Sequence, residues 1–296
     1  MLTSPYLEVY WESWCMTRPD YASSLRDIEF SPSGSRLHPN VVSIAFCDYT
    51  FARDRHDQLN FGFINSQVCS DGQLYSAERL KEDIRRVQRQ GGKIKVSFGG
   101  ATFPFHNAIN SEAKAREFAS RAAEAVVQYG LDGVDFDFED RNSNGDLQVG
   151  VITSLRSSLP DKLLTLTVPA ISHSYEPSRQ VIASTTSLIS ALNVMAYDTY
   201  WKDYNASADF LAFTQIGVPK AKLVWGVMPG PSDCPHEFTS ERDAYNIAHF
   251  VKSQEMAGVM IWSINRDTNR RSATERQSQT GLPDGTFTRL FGSSLC

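Results

Sequence analysis

Leu131-Asp132-Gly133-Val134-Asp135-Phe136-Asp137-Phe138-Glu139-Asp140 reads as a β-strand with acids on one parity and phenylalanines on the other. Side chains alternate along a strand with a period of two. Asp135, Asp137 and Glu139 therefore share one face, and Phe136 and Phe138 share the opposite one. Three acids in line on a buried strand are costly unless they share protons or serve chemistry. A closed parallel barrel accommodates both faces. The phenylalanines pack against outer helices, the acids point inward, and the last of them reaches the C-terminal mouth, where this architecture carries its active sites.

Working outward, seven further apolar, β-rich runs surround this one. The eight predicted strands are Tyr6–Trp11, Val41–Phe46, Lys93–Phe98, Gly133–Phe138, Leu163–Val168, Ala191–Ala196, Lys222–Val227 and Gly258–Ser263. Their starts lie about 30 to 50 residues apart, the length of a strand, a helix and two loops. Helical patterns fill several gaps. Ala77–Arg89 aligns Leu80, Ile84 and Val87 before Gly91-Gly92, and Ser111–Tyr129 closes at Gly130. Asp146–Ser158 stops before Pro160, and Ser240–Gln254 aligns Ala244, Ile247, Ala248 and Val251. Eight strand–helix units with no leftover segment predict an α/β fold of the (β/α)8 TIM-barrel type, a single domain over residues 1–296. An open doubly wound sheet is the second choice. The longest gap holds a polar and aromatic loop from Asp48 to Gln73.

Composition is ordinary for a globular protein: 296 residues, 41% hydrophobic and 21% charged, with a net charge of −5. No basic block stands out, and the most basic stretch, Lys81 to Arg89, is a helix face with interleaved acids, so nucleic acid is not an expected partner. No apolar run approaches a membrane span. The first residues, Met1-Leu-Thr-Ser-Pro, lack the pattern of a signal peptide. The expected compartment is nevertheless extracellular, and a monomer is the expected state. Cys15, Cys47, Cys69, Cys234 and Cys296 contain no C-x-x-C pair, which argues against zinc and redox motifs and leaves one or two disulfides open.

The acidic run has two bland readings, a solvated acidic stretch and a metal site. Strict alternation with Phe inside a strand pattern argues against the first. The second would need further oxygen ligands or histidines, and none is adjacent, so neither metal nor cofactor is expected. Carboxylates on one face cannot all ionise cheaply, so a proton is retained among them, and a group with a raised pKa can act as a general acid. Glu139, outermost and longest, is the predicted acid. Asp137 is expected to hydrogen-bond it, with Asp135 deeper.

Asp132-x-x-Asp135-x-Asp137-x-Glu139 resembles the D-x-x-D-x-D-x-E signature of glycoside hydrolase family 18, the chitinases and endo-β-N-acetylglucosaminidases. Other motifs fall in order along nearly the whole chain. Ser97-Phe-Gly-Gly100 resembles the family's S-x-G-G, Met195-Ala-Tyr-Asp198 its M-x-Y-D, and Trp262 the tryptophan that floors its sugar pocket. The resemblance implies retaining, substrate-assisted hydrolysis of chitin or N-acetylglucosamine oligosaccharides, without a protein nucleophile or cofactor. Glu139 would be the acid/base and Asp137 would orient the substrate's acetamide. Asp135 would share a proton with Asp137, and Tyr197 would donate to the acetamido oxygen. Asp198, Trp262, Met195 and Tyr10 would contact or line the sugar site. Ser97, Gly99 and Gly100 are read as support for the acidic strand.

Trp11, Trp14, Trp201 and Trp225 are further aromatics near strand ends, with Trp225 equally a core residue. Asn205-Ala-Ser207 matches a glycosylation sequon. The short span between the seventh and eighth strands leaves no room for the α+β insertion of many processive members, which implies a shallow groove and internal cleavage. Asp198 tilts the substrate toward chitin. An endo-β-N-acetylglucosaminidase acting on N-glycans and a non-catalytic chitinase-like lectin are the alternatives, and the retained Glu139 argues against the lectin. A subunit of a larger assembly that keeps a working barrel is a third reading.

Overall fold

The computed structural model describes residues 5–14, 25–30, 38–63, 75–174, 176–197, 205–230, 238–267 and 285–295. The strands in chain order are β1 (Tyr6–Glu12), β2 (Val41–Cys47), β3 (Phe51–Arg53), β4 (Leu59–Phe61), β5 (Lys93–Gly99), β6 (Gly133–Asp137), β7 (Leu163–Pro169), β8 (Ala191–Met195), β9 (Leu223–Val227) and β10 (Gly258–Ile261). All but β3 and β4 join a closed barrel in the order β1-β10-β9-β8-β7-β6-β5-β2, every neighbour parallel. The helices are α1 (Ala77–Arg89), α2 (Phe105–Ala108), α3 (Glu112–Tyr129), α4 (Gly145–Ser158), α5 (Ser178–Thr185), α6 (Ala206–Gln215), α7 (Glu241–Ser253), α8 (Ile264–Asp267) and α9 (Thr286–Ser294).

Local chemistry sets the helix ends. Ser76, Ser111 and Ser240 each accept a backbone N–H three residues on, and Gly130 closes α3 in the left-handed conformation. Asn205, the sequon residue, caps α6 by accepting from Ala208 N. Two apolar compartments result. The larger lies between barrel and helices and holds Phe98, Phe118, Phe136 and Phe138, as the parity of the acidic strand requires. The smaller lies inside the barrel and includes Tyr6, Tyr10, Val224 and Met260.

Two connections differ from expectation. Among the described residues, the β1–β2 connection carries a short 3-10 turn at Leu25–Asp27 in place of an α-helix. Its buried Leu25 and the buried Ile28 and Phe30 that follow are tied to α1 by Arg86 donating to Leu25 O and by Phe30 N donating to Gln90 Oε1. The Asp48–Gln73 segment is also more than a loop, because β3 and β4 form an antiparallel hairpin within it. The hairpin docks on α3. Arg53 forks onto Glu124 at 3.1 and 3.0 Å, Gln128 exchanges two bonds with the Leu59 backbone, and Tyr129 donates to Asn60. Its Phe51, Leu59 and Phe61 are buried in the outer compartment.

Candidate active site

Register decides what surrounds the acids. Asp135 is level with Ser97 on β5 and Thr165 on β7, and Asp137 is level with Gly99 and Thr167. Level residues on parallel neighbours face the same side, so the acids meet hydroxyls. Asp135 is fully buried and accepts from Ser97 Oγ at 2.6 Å and Thr165 Oγ1 at 2.5 Å. Tyr10 reaches across the barrel from β1 and donates to Asp135 Oδ2 at 2.6 Å. Burial, aided by Glu8, outweighs the downward pull of the Lys95 ammonium and of the Ser97 and Thr165 hydroxyls, so the Asp135 carboxyl stands above its usual range. Burial and Asp135 hold the Tyr10 phenol well above its usual range, so it stays a donor.

Asp137 stands one step nearer the mouth and differs sharply. It is 4% exposed, and its Oδ1 is buried with no hydrogen-bond partner. Burial, then the charges of Glu139 and Asp135, push its carboxyl well above the ordinary range. The hydroxyls of Ser97, Thr165 and Tyr10 engage both oxygens of Asp135, whereas Asp137 Oδ1 is left open toward the cavity. Desolvation and repulsion by two like charges favour the protonated form of Asp137.

The strand ends where the acid must emerge. Phe138 N donates to Thr167 O at 2.9 Å, extending the ladder one step, and Glu139 follows, exposed at the rim. Asp140 then anchors the turn. It pairs with His106 of α2 and accepts from Ser143 Oγ at 2.6 Å and Asn142 N at 2.8 Å. Burial opposes these bonds, but together they hold the Asp140 carboxyl below its usual range. Gly99 permits the tight approach of β5. Its φ is +110°, and a Cβ there would sit 2.3 Å from Asp137 O. The Ser97–Gly100 motif thus supports the acidic strand.

Glu139, Asp137, Tyr10, Met195, Tyr197 and Trp262 all line one cavity of about 570 Å³ at the barrel mouth. Trp14 and Phe46 also line it and form an aromatic cluster with Trp262. Phe46 stacks on Trp262 at 5.3 Å and 19°, and Trp14 stacks on Phe46 at 6.0 Å and 26°. Asp135 lies beneath the cavity, outside its lining. Phe63, just beyond the hairpin, and Phe103, after β5, complete the aromatic part of the lining. Asp198 and Trp201 lie outside the described residues. Trp11 packs on Tyr75 and Trp225 on Phe210, both in the outer core. Cys47 is a buried free thiol, and the other four cysteines lie outside the described residues.

Two buried ion pairs behind the site escaped the sequence reading. Arg266 Nε lies 3.0 Å from Glu12 Oε1, and the guanidinium sits 5.6 Å from the centre of a Trp262 ring. Lys95 Nζ lies 3.0 Å from Glu8 Oε1, both side chains fully buried inside the barrel. The parity of β1 carried the signal. Tyr6, Glu8, Tyr10 and Glu12 alternate, so a strand with Tyr10 inward must also place both glutamates inward. No group of His, Cys, Asp and Glu able to hold a metal occurs among the described residues, and no helix there is long and apolar enough to cross a membrane.

Comparison with known proteins agrees with this geometry. The model of the family described as Glycosyl hydrolases family 18 matches residues 9–229. A curated endo-beta-N-acetylglucosaminidase from a Flavobacterium strain is 30% identical over 138 residues, covering 42% of this chain and 40% of that protein. The chain therefore spans less than half the length of this relative. Among solved structures, a family 18 chitinase from Pseudoalteromonas aurantia superposes with a TM-score of 0.73 at 19% identity, covering 98% of this chain and 100% of the other. An Ostrinia furnacalis Group II chitinase catalytic domain, in complex with penta-N-acetylchitooctaose, superposes at 0.72 with 15% identity over 98% and 96%. At such identities the likeness is one of fold.

Proposed function

Since the chain belongs to glycosyl hydrolase family 18, we propose that its cavity cleaves β-1,4 bonds between N-acetylglucosamine units of chitin or chitooligosaccharides with retention, assisted by the substrate. The observation carrying this reading is the contrast inside one cavity: an exposed carboxyl at Glu139 above a buried carboxyl at Asp137 whose Oδ1 lacks a partner. The acetamido oxygen of the sugar attacks its own anomeric carbon while Glu139 protonates the leaving glycosidic oxygen. The C–O bond to the leaving sugar breaks and an oxazolinium ion forms. Water then opens that ion as Glu139, now a carboxylate, takes its proton.

The acetamide N–H is the donor that Asp137 Oδ1 lacks, which holds the attacking oxygen on the reacting face. The Tyr197 hydroxyl donates to that oxygen, and Trp262 presents an apolar face to the sugar ring. Met195 and Tyr10 shape the rest of the pocket, and Asp198 is assigned to the same sugar by its motif. Donors fixed before reaction contribute about 2–4 kcal/mol each to the transition state. Because β9 ends at Val227 and α7 begins at Glu241, the chain between them is too short for a wall-forming α+β insertion, which supports internal cleavage.

Glu139→Gln tests the reading. Hydrolysis of a chitooligosaccharide should fall at least about 10²-fold while binding of the same sugar persists. Unchanged turnover would end the assignment. Hydrolysis of the chitobiose core of N-glycans is the second reading, favoured by the 30% identity to an endo-beta-N-acetylglucosaminidase. Paired assays on a chitooligosaccharide and a high-mannose glycopeptide separate the two.

A further inference from the structure

Below the acidic strand end lies a layer that the proposed reaction does not use. Glu8 accepts from Tyr6 OH at 2.5 Å, Ser43 Oγ at 2.6 Å, Asn193 Nδ2 at 3.0 Å and the Lys95 ammonium at 3.0 Å. Four donors on four lone pairs describe an ionised carboxylate. Lys95 donates in three directions: to Glu8, to Tyr6 OH at 3.3 Å and to Thr165 Oγ1 at 2.6 Å. The last contact couples this layer to the site. With an ammonium proton on its oxygen, Thr165 directs its own hydroxyl proton to Asp135 Oδ1. Every polar contact of Lys95 is satisfied, as a fully buried charge requires.

We propose that Lys95, held by Glu8 and acting through the Thr165 hydroxyl, is a positioning residue that favours the ionised form of Asp135 over that of Asp137 and so leaves the column's proton to Asp137. This inference rests on the assignment of Glu139 and Asp137 above. A fixed negative charge at Asp135, beneath a neutral Asp137, lies under the carbon that becomes cationic in the oxazolinium-forming step. Lys95 and Glu8 do not line the cavity. Their loss therefore acts on the chemical step and not on sugar binding.

The charged and titratable groups facing Asp135 are few. They are Tyr6, Glu8 and Tyr10 from β1, Lys95 from β5, Asp137 on its own strand, and Tyr49 after β2, with Glu139 above. The elements β2, β7 and β8 contribute only Ser43, Thr165, Thr167 and Asn193. Lys95 is the one cation of this set. If ionised Asp135 supports turnover, kcat is lost as pH falls through its pKa. Removing the Thr165 donor raises that pKa, so the acid limb moves to higher pH.

The test compares Thr165→Val, which removes the relay but leaves the ion pair, with Thr165→Ser, which keeps the hydroxyl. A second arm, Glu8→Gln/Lys95→Met, removes both charges together at nearly constant volume and covers the case in which Thr165→Val does not fold. Thr165→Val should move the acid limb of kcat to higher pH with KM unchanged, and the double variant should move it the same way but less far, because losing the Lys95 pull is partly offset by losing the Glu8 push. Thr165→Ser should restore the limb. A 13C titration of Asp-labelled protein, with Asp135 identified by its loss in Asp135→Asn, reads the same ionisation without substrate and should show the same upward shift. An unmoved Asp135 midpoint, or pH profiles that superimpose while only thermal stability falls, would overturn the proposal. Activity surviving in Glu139→Gln would instead overturn the functional reading, whatever the titration gives.

Discussion

Asp137→Asn should stabilise the protein while disabling it, and the stabilisation should grow with pH. Desolvation and the two neighbouring acids raise the Asp137 carboxyl well above its unfolded value. Between the unfolded pKa, about 4, and the raised folded one, the native state binds a proton that the unfolded chain has released. Stability then falls as pH rises, at about 1.4 kcal/mol per pH unit for one proton. Asparagine resembles the protonated acid in shape and carries no such slope. The stability difference between variant and parent should therefore open at that rate from about pH 4 upward and level off above the folded pKa. For a chain of 296 residues this is about 2 °C of melting temperature per pH unit. Any fixed cost of burying the amide shifts both ends of the comparison equally and leaves the slope intact. Thermal melts at unit pH intervals measure it, alongside an expected fall in kcat of at least about 10²-fold. A melting difference independent of pH across that window would refute a protonated Asp137.

Gly99→Ala places a Cβ 2.3 Å from Asp137 O at a φ of +110°, and should cost about 3 kcal/mol in urea unfolding while lowering kcat. Lys95→Met alone leaves Glu8 charged and without its ammonium partner, and should cost about 3–5 kcal/mol, most of it recovered in Glu8→Gln/Lys95→Met when the two are compared by thermal melts. Trp262→Ala removes an apolar platform worth about 1.5–3 kcal/mol, so KM for a chitooligosaccharide should rise about tenfold or more in steady-state assays.

The barrel was legible because its strands repeat a simple physical pattern. Gly133–Phe138 alternates acids with phenylalanines, and Ala77–Arg89 aligns three apolar residues over a C-terminal Gly91-Gly92. In each case the local pattern agrees with the tertiary environment. The hairpin was not legible because β3 and β4 are three residues each, too short for alternation to stand out. Its stability comes from α3, through Arg53–Glu124 and Gln128–Leu59, contacts far apart in the chain. The same limit hid the partners of Asp135. Parity placed the acid inward, but register alone brings Thr165 level with it, and register is a property of two strands together.

That distinction explains why parity puts the acids on one face without showing what surrounds each of them. Counted along one strand, Asp135 and Asp137 are nearest like neighbours. Across strands, Asp135 meets Ser97, Thr165 and Tyr10, three donors that satisfy a carboxylate without borrowing a proton. Asp137 meets Gly99 on one side, which has no side chain to offer, and Thr167 on the other, whose hydroxyl is engaged with Tyr10. The two acids therefore diverge because of what their neighbours present, one deep and fully bonded, the other near the mouth with an open acceptor. A buried acceptor without a donor is a standing cost to the fold. Its persistence at the cavity wall is intelligible if a substrate N–H relieves it, and a bound acetamide sugar should accordingly stabilise the parent more than Asp137→Ala in ligand-dependent thermal melts.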